Sequence, residues 1–523
     1  MKKHVLHWRS LAAVALAGAV LLSGCGGSAS SNAASASSDS QKIFTFGDTT
    51  FNAENGESDI NPHSEYSGWA CIRYGVGETL FRYSDSMELE PWLAAGYEQT
   101  DENTWVITLR DNVTFSSGRT MDAASVKECL EDLIAENERA NGDLKLKDMQ
   151  ADGQTLTLTT EEPVPALMNY LSDPYGCIID MEAGITDEGI VAGTGPYIAT
   201  ELETDHGLTL VKNENYWDGT PSLDTIYVKT ISDGDTLTMA LQSGELDAAY
   251  GLPYSSLPLF DNDSYTISSC ETSRSFFAQM NYENEILQDD RVREAIAMSI
   301  DKENFTSVLL DGNGTAAVGP FPSAFSFGDS TVTADAYDPE QAAALLKEAG
   351  WTDTDGDGYV DKDGKKLTLR WLTYPSRQEL PLLAESAQDS LKKIGIDLEI
   401  NCTASHLDFL ANGQWDIYAS AFVCAPTGDP EYFFTTHCLD SSSKNRGIYH
   451  SDQLEDLEKK MAASFDPEER AELATQMTQV ILDDHGFLFA SHLKMSMVAR
   501  EGVSGLTAHA CDYYEITKDL KKE

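Results

Sequence analysis

Basic residues are scarce in this chain: of 523 residues only 36 are Lys or Arg against 86 Asp or Glu, a net charge of −50. That balance disfavours nucleic acid and anionic lipid headgroups as partners, since both call for a cationic surface. It suits an exposed surface that must stay soluble. Catalytic signatures are missing too. There is no H-E-x-x-H, no G-x-S-x-G, no Walker loop and no G-x-G-x-x-G after a strand. His63-Ser64-Glu65 has the H-x-E of a zinc deaminase without its P-C-x-x-C partner. Among the nine cysteines no C-x-x-C occurs. The eight beyond Cys25 allow too many pairings to choose among, and the expectation is at most one or two disulfides.

What is present begins at the N-terminus. "MKKHVLHWR" supplies Lys2, Lys3 and Arg9, and "LAAVALAGAVLL" follows as about a dozen apolar residues, enough for a signal-peptide core and too few to span a bilayer. "LSGC", Leu22 to Cys25, resembles the bacterial lipobox, which makes Cys25 the expected lipidation site. The reading is a signal peptide over 1–24 and a lipidated flexible tether over 25–41, rich in Gly, Ser and Ala. Loss of a signal with three basic and no acidic residues takes the net charge from −50 to about −53. No later stretch is apolar enough to cross a membrane, so the expected location is the extracytoplasmic face of the cell membrane, through a lipid anchor.

The body of the chain switches repeatedly between periods of two and 3.6, the pattern of an α/β protein. "TWVITLR" puts Trp105, Ile107 and Leu109 on one strand face. Asp122 then caps a helix whose stripe is Val126, Cys129, Leu130, Leu133 and Ile134. "DTLTMALQSG" reads as a helix stopped by Gly244, and "DPEQAAALLKEAGW" as one capped by Asp338 with Pro339 at its first position. "KLTLRWL" and "IDLEI" alternate like strands. The length favours two or three lobes.

In "TDTDGDGYVDKDG", Asp353, Asp355, Asp357, Gly358 and Asp361 fit a calcium-loop frame, but position twelve is Gly364 where a bidentate Glu is needed. The expectation is an Asp/Gly turn, with at most weak calcium binding at those four aspartates.

Several segments together resemble one family. "PWLAAGYEQTDENTWVITLRDNVTFSSGRTMDAASVKECLEDL", "GTGPYI", "LVKNENYWDGTPSLDTIYV", "ALQSGELDAAYG", "DDRVREAIAMSIDK" and "YDPEQAAALLKEAGW" occur in the order found in the family 5 extracytoplasmic solute-binding proteins, receptors of peptide and nickel ABC importers. The resemblance implies an α/β, two-lobed periplasmic-binding-protein-like fold, type II, with an extra subdomain, a hinge and an interlobe ligand cleft. It places lobe I at 42–262 plus 492–523, with the extra subdomain at about 64–190, and lobe II at 263–491. It implies a monomer that hands a small ligand to a permease, with no enzyme activity and no required cofactor.

Peptide receptors of that family hold the ligand's amine with an aspartate. Aligning Asp429-Pro430 of "FVCAPTGDPEYFF" on the family's acidic-Pro pair sets Pro426 at that position, where no ammonium can be held. The motif is similar to the nickel branch apart from one residue of spacing, as are "RYGVGETLF" and "GLTAHACDYYEI". That branch implies a nickel or other metal chelate as ligand, with His63 and His509 as the first metal-ligating candidates and His437 and His492 next. Arg73 and Arg446 are candidates for the chelator's carboxylates, and Trp69, Asp429 and Tyr449 for further ligand contacts. The alternatives are an oligopeptide or dipeptide receptor and, more distantly, a secreted hydrolase or a calcium-dependent surface protein.

Overall fold

The computed structural model describes residues 42–51, 59–64, 67–84, 87–203 and 206–523. The signal peptide, Cys25 and the tether lie outside the described residues.

One sheet of eleven strands carries both lobes. From one edge it runs Asp397–Cys402, Thr368–Thr373, Ile417–Val423, Tyr265–Met280, Phe487–Arg500, Ala248–Tyr250, Ile43–Asp48, Thr225–Thr230, Gly207–Lys212 and Tyr197–Glu203, with Gly314–Ala316 added beside Phe487–Arg500. The strand Tyr265–Met280 pairs antiparallel with Phe487–Arg500, and the two form the passage between lobes. Their register breaks between Glu271 and Ser275 and again at Phe276, so the pair bends where the lobes meet.

Separate cores fill the two lobes. One joins Phe44, Leu130, Leu158 and Ile226 to Met497 and Ile516 from the chain's end. The other gathers Phe276, Ile296, Leu346, Trp371 and Leu391, beside a further cluster around Phe433, Met477 and Phe487. Leu237, Leu241 and Phe260 pack with the second of these cores although they precede the crossing strands.

Local chemistry explains the elements. Trp105, Ile107 and Leu109 are buried on alternate positions of Thr104–Leu109, which belongs to a four-stranded sheet with Ala94–Asp101, Thr155–Thr160 and Leu146–Asp152. Packed on it, the helix Ala123–Glu136 starts where the Asp122 carboxylate accepts from Ser125 N at 2.9 Å and the Ser125 hydroxyl lies 3.0 Å from Asp122 N. Asp338 likewise accepts from Glu340 N and Gln341 N at the head of Pro339–Glu348. The helix Gly234–Ser243 stops at Gly244, whose φ is +82°.

The eight described cysteines are all free, and apart from Cys270 and Cys402 they are buried. They behave as small core side chains. No helix among the described residues is long and apolar enough to cross a membrane.

Candidate functional site

A cavity of about 770 Å³ lies where the two lobes face each other. Its wall starts at the short helix Gly68–Arg73, which carries Trp69 and Arg73 into the space. That helix sits so close to the turn at Pro174 that a Cβ on Gly68 would lie 2.5 Å from the Pro174 carbonyl oxygen. Only glycine permits this approach.

The floor is a buried charge cluster. Asp512, near the chain's end, is fully buried, with Arg274 Nη2 at 2.8 Å and Arg73 Nη2 at 3.1 Å from its carboxylate. Arg274 lies on a crossing strand and Arg73 on the first lobe, so one carboxylate ties the hinge to the wall. Burial alone would push the Asp512 carboxyl up, but Arg73, Arg274 and Arg377 outweigh it and hold it below the usual range. Arg73 also approaches Glu515 Oε1 at 3.1 Å and stacks 4.2 Å from the Trp69 ring centre. Glu515 is driven well above its ordinary range by burial, against the pull of Arg73.

Among the described residues six cationic side chains line the cavity, namely Arg73, Arg139, Arg274, Arg377, Lys444 and Arg446. Asp173 is the one acidic residue on the wall among the described residues, and Arg139 takes both its oxygens at 2.8 Å while stacking on Tyr175. No carboxylate is therefore left for an incoming ammonium. Arg377 and Arg446, by contrast, show no side-chain hydrogen bond or ion pair among the described residues. A planar guanidinium left open in this way fits a carboxylate.

His406 completes the wall. It begins the helix His406–Ala411, after the strand Asp397–Cys402. Its ring stacks on Tyr374 with centres 4.4 Å apart and lies nearly parallel to Tyr418 at 6.1 Å. Burial lowers its pKa, and Arg446 adds to the effect. The imidazole is thus kept neutral at neutral pH.

Among the residues singled out from sequence, Trp69, Arg73, Arg446 and Pro426 lie on the cavity wall. The others stand elsewhere. His63 is buried, with Nδ1 2.7 Å from Asp132 and Nε2 3.5 Å from Cys129 Sγ, and burial lowers its pKa. His509 holds Nδ1 2.9 Å from Cys511 Sγ and sets its ring against Tyr514. His437 is enclosed by Phe277, Phe422 and Phe433. Asp429 is gripped by Arg470 through contacts of 2.9 and 2.6 Å, and the Tyr449 hydroxyl lies 2.6 Å from Asp484. None of these five lines the cavity.

His492 sits between Ser275 Oγ at 2.8 Å and Asp329 at 2.9 Å, a Ser-His-Asp chain of the kind hydrolases use. Ser275 is completely buried and its oxygen is also 2.7 Å from the Pro320 carbonyl. Ser275 and His492 belong to the two crossing strands, so the chain pins the bend rather than meeting a substrate.

The Asp/Gly turn is held by its own side chains. Asp353 accepts from Gly356 N and Gly358 N, Asp355 from Asp357 N, Asp357 from Tyr359 N, and Asp361 from Thr354. Carboxylate oxygens of Asp353, Asp355 and Asp361 come within 4.8 Å of one another, and Asp357 is outside that group.

Residues 88–445 match the family described as bacterial extracellular solute-binding proteins, family 5. The chain belongs to this family. It is an extracytoplasmic receptor of the kind that serves ABC importers. The nickel-binding protein NikA of Staphylococcus aureus is 27% identical over 412 residues, 78% of this chain and 81% of the relative. Oligopeptide-binding protein AppA of Bacillus subtilis is 28% identical over 353 residues, 65% of this chain and 64% of the relative. A crystal structure of the S. aureus NikA with Ni(L-His)2 superposes with a TM-score of 0.80 at 24% identity, covering 92% of this chain and all of that one. That likeness fixes the two-lobed fold.

Proposed function

We propose that this receptor captures a small anionic metal chelate, nickel foremost, and delivers it to its permease. The observation that carries the reading is the charge of the cavity: among the described residues six cations stand on its wall, and although Asp173 pairs with Arg139 and Asp512 with Arg73 and Arg274, Arg377 and Arg446 are left open. In a chain of net charge −50 that concentration favours carboxylates inside the cleft. A bare divalent ion would be repelled there, whereas a metal wrapped in carboxylates presents the complementary charge. NikA, a relative named for nickel binding, agrees with this reading.

The mechanism needs no covalent step. Arg73 and Arg139 approach the ligand from one lobe and Arg377 and Arg446 from the other, so the full contact set exists only when the lobes are together. Binding then shifts the open and closed populations by the difference in affinity for the two states. In this reading lobe I comprises 42–262 plus 492–523 and lobe II 263–491, with side chains of 237–260 packed into the second core, the receptor acts as a monomer, and a lipid on Cys25 keeps it at the membrane.

Peptide is the second reading, favoured by the kinship with AppA. Against it stand Pro426 on the wall and the lack of a free carboxylate for a peptide amine. The deciding experiment purifies residues 42–523 without added chelator and applies native mass spectrometry, metal analysis and titration calorimetry. Recovery of nickel with a carboxylate chelator is expected. Co-purified peptides, with no response to nickel plus histidine or citrate, would overturn the reading.

A further inference from the structure

We propose that Cys71 and Cys177 are the two halves of a disulfide that closes the chain around the four-stranded sheet, an inference independent of what the cleft binds. The structure holds both as thiols, the reduced form of the pair. Cys71 lies on the short helix Gly68–Arg73, between Trp69 and Arg73, and Cys177 directly follows the turn Pro174–Gly176. Packing has already brought these two elements together, since Gly68 abuts the Pro174 carbonyl. The sulfurs meet beside Gly77, where a Cβ would lie 2.6 Å from Cys71 Sγ and 3.3 Å from Cys177 Sγ. Each thiol is a hydrogen-bonding neighbour of the other. Glycine at 77 leaves the space that both sulfurs use. A third thiol is near but is committed to other groups: Cys129 Sγ accepts from Ile179 N at 3.4 Å and lies 3.5 Å from His63 Nε2 and 3.7 Å from the Cys177 carbonyl oxygen.

Compartment and topology both favour the bond. The receptor works outside the cytoplasm, where disulfides persist. Between the two cysteines run all four strands of the smaller sheet and the helix Ala123–Glu136, so the crosslink closes a loop of about 100 residues and takes much freedom from the unfolded chain. It also fixes Trp69 and Arg73 against Asp173 and Tyr175 on one wall of the cavity. Both thiols are fully buried, and burial pushes the Cys177 thiol well above its ordinary range, so the finished core offers little thiolate. The bond therefore forms while the exported chain folds. One thiolate attacks a sulfur of an external disulfide, carried by a thiol oxidase, and displaces half of it as a thiol; the second thiolate attacks the mixed disulfide and displaces the other half. Two protons and two electrons leave the cysteine pair, and the external disulfide becomes two thiols.

The test exports the full chain with its own signal from a host that keeps a thiol oxidase outside its cytoplasm. The protein is denatured in N-ethylmaleimide, which labels free thiols, then digested and mapped by mass spectrometry. A peptide pair joining Cys71 to Cys177 and lost on reduction is expected, with Cys129 carrying the label. Cys129→Ser should keep the crosslink, and Cys71→Ser should leave Cys177 labelled. Reduction should lower the melting temperature of the wild type by at least about 4 °C and that of Cys71→Ser by less than about 1 °C. Should Cys71→Ser fail to fold, the map of the wild type still decides. Label on both Cys71 and Cys177 in the exported wild type, or a crosslink from either to any other cysteine, overturns the assignment.

Discussion

The lobes are joined by a contact that asks nothing of the ligand, and its removal should loosen binding. Asn169, in the helix Leu167–Tyr170 of the first lobe's core, donates from Nδ2 to the Thr427 carbonyl at 2.8 Å and lies 3.1 Å from the Tyr83 hydroxyl. Thr427 sits in the turn that carries Pro426, on the opposite lobe beside Cys424 and Ala425. The next residue, Gly428, has φ +63°, and a Cβ on it would lie 2.5 Å from Tyr83 Cε1. The turn therefore docks face-on against the first lobe. Asn169→Ala deletes one interlobe hydrogen bond worth about 1 kcal/mol, roughly a 5-fold shift toward the open form. Apparent affinity scales with the closed fraction, so a receptor that is mostly open when free should bind its ligand about 5-fold more weakly. One that is mostly closed should instead show the loss as a longer interlobe distance in the free protein. Calorimetry with nickel citrate and fluorescence transfer between one label on each lobe read both quantities. If affinity and distance each stay within about 2-fold and experimental error of wild type, the contact is not a latch.

Three further outcomes are expected. Burial pushes the Glu78 carboxyl up to about 7 despite donors from Tyr216, Trp217 and Thr194, so the folded chain keeps a proton that the unfolded chain has lost. Folding stability from this group should fall by about 3 kcal/mol as pH rises from about 4.5 to 7 and then level off; urea melts of Glu78→Gln should lack that slope. Asp429→Ala strands the buried Arg470, and since Glu431 remains 2.5 Å from it the loss should be about 3 kcal/mol, the lower end for a broken buried pair, with ligand affinity unchanged. Because the Asp/Gly turn is built from its own hydrogen bonds, a calcium chelator should move the melting temperature by only about 1 °C and leave ligand binding alone; a large loss of binding would give those aspartates a functional role.

The elements were readable from sequence because their determinants are local. Alternation at Trp105, Ile107 and Leu109 and the cap at Asp122 both act within a few residues, and both recur in the structure. The wall of the cavity is a different matter. Arg73, Arg274 and Asp512 meet across hundreds of residues, and nothing near any of them in the chain announces the meeting. Histidines in polar loops, such as His63 and His509, attract notice in a sequence, yet each has a close polar neighbour in the interior. His406 stands in an equally plain loop, "TASHLDF". The signal that would have found it is positional: it follows the C-terminal end of a parallel strand, where ligands of open α/β sheets gather. The apolar stretch around Phe260 shows the same limit for lobes, since which core it joins depends on packing rather than chain order.

The charge distribution sets a conflict between the whole molecule and its cleft. At a distance an anionic chelate meets a body whose net charge is about −50, and inside it meets a wall of cations on which Arg377 and Arg446 are left open. The two fields respond differently to salt. Charges on the outer surface are screened beyond about 8 Å at physiological ionic strength, whereas the cleft cations act at contact distance and are shielded far less. Raising the ionic strength from about 0.01 to 0.15 M should therefore remove more repulsion than attraction, and the association rate constant for nickel citrate should rise. Most steered complexes behave in the opposite sense, slowing steeply as salt is added. Stopped-flow measurement across that range decides the matter. A rate constant that falls with salt would mean that the cavity's field dominates at long range, and that the acidic surface plays no part in how the ligand arrives.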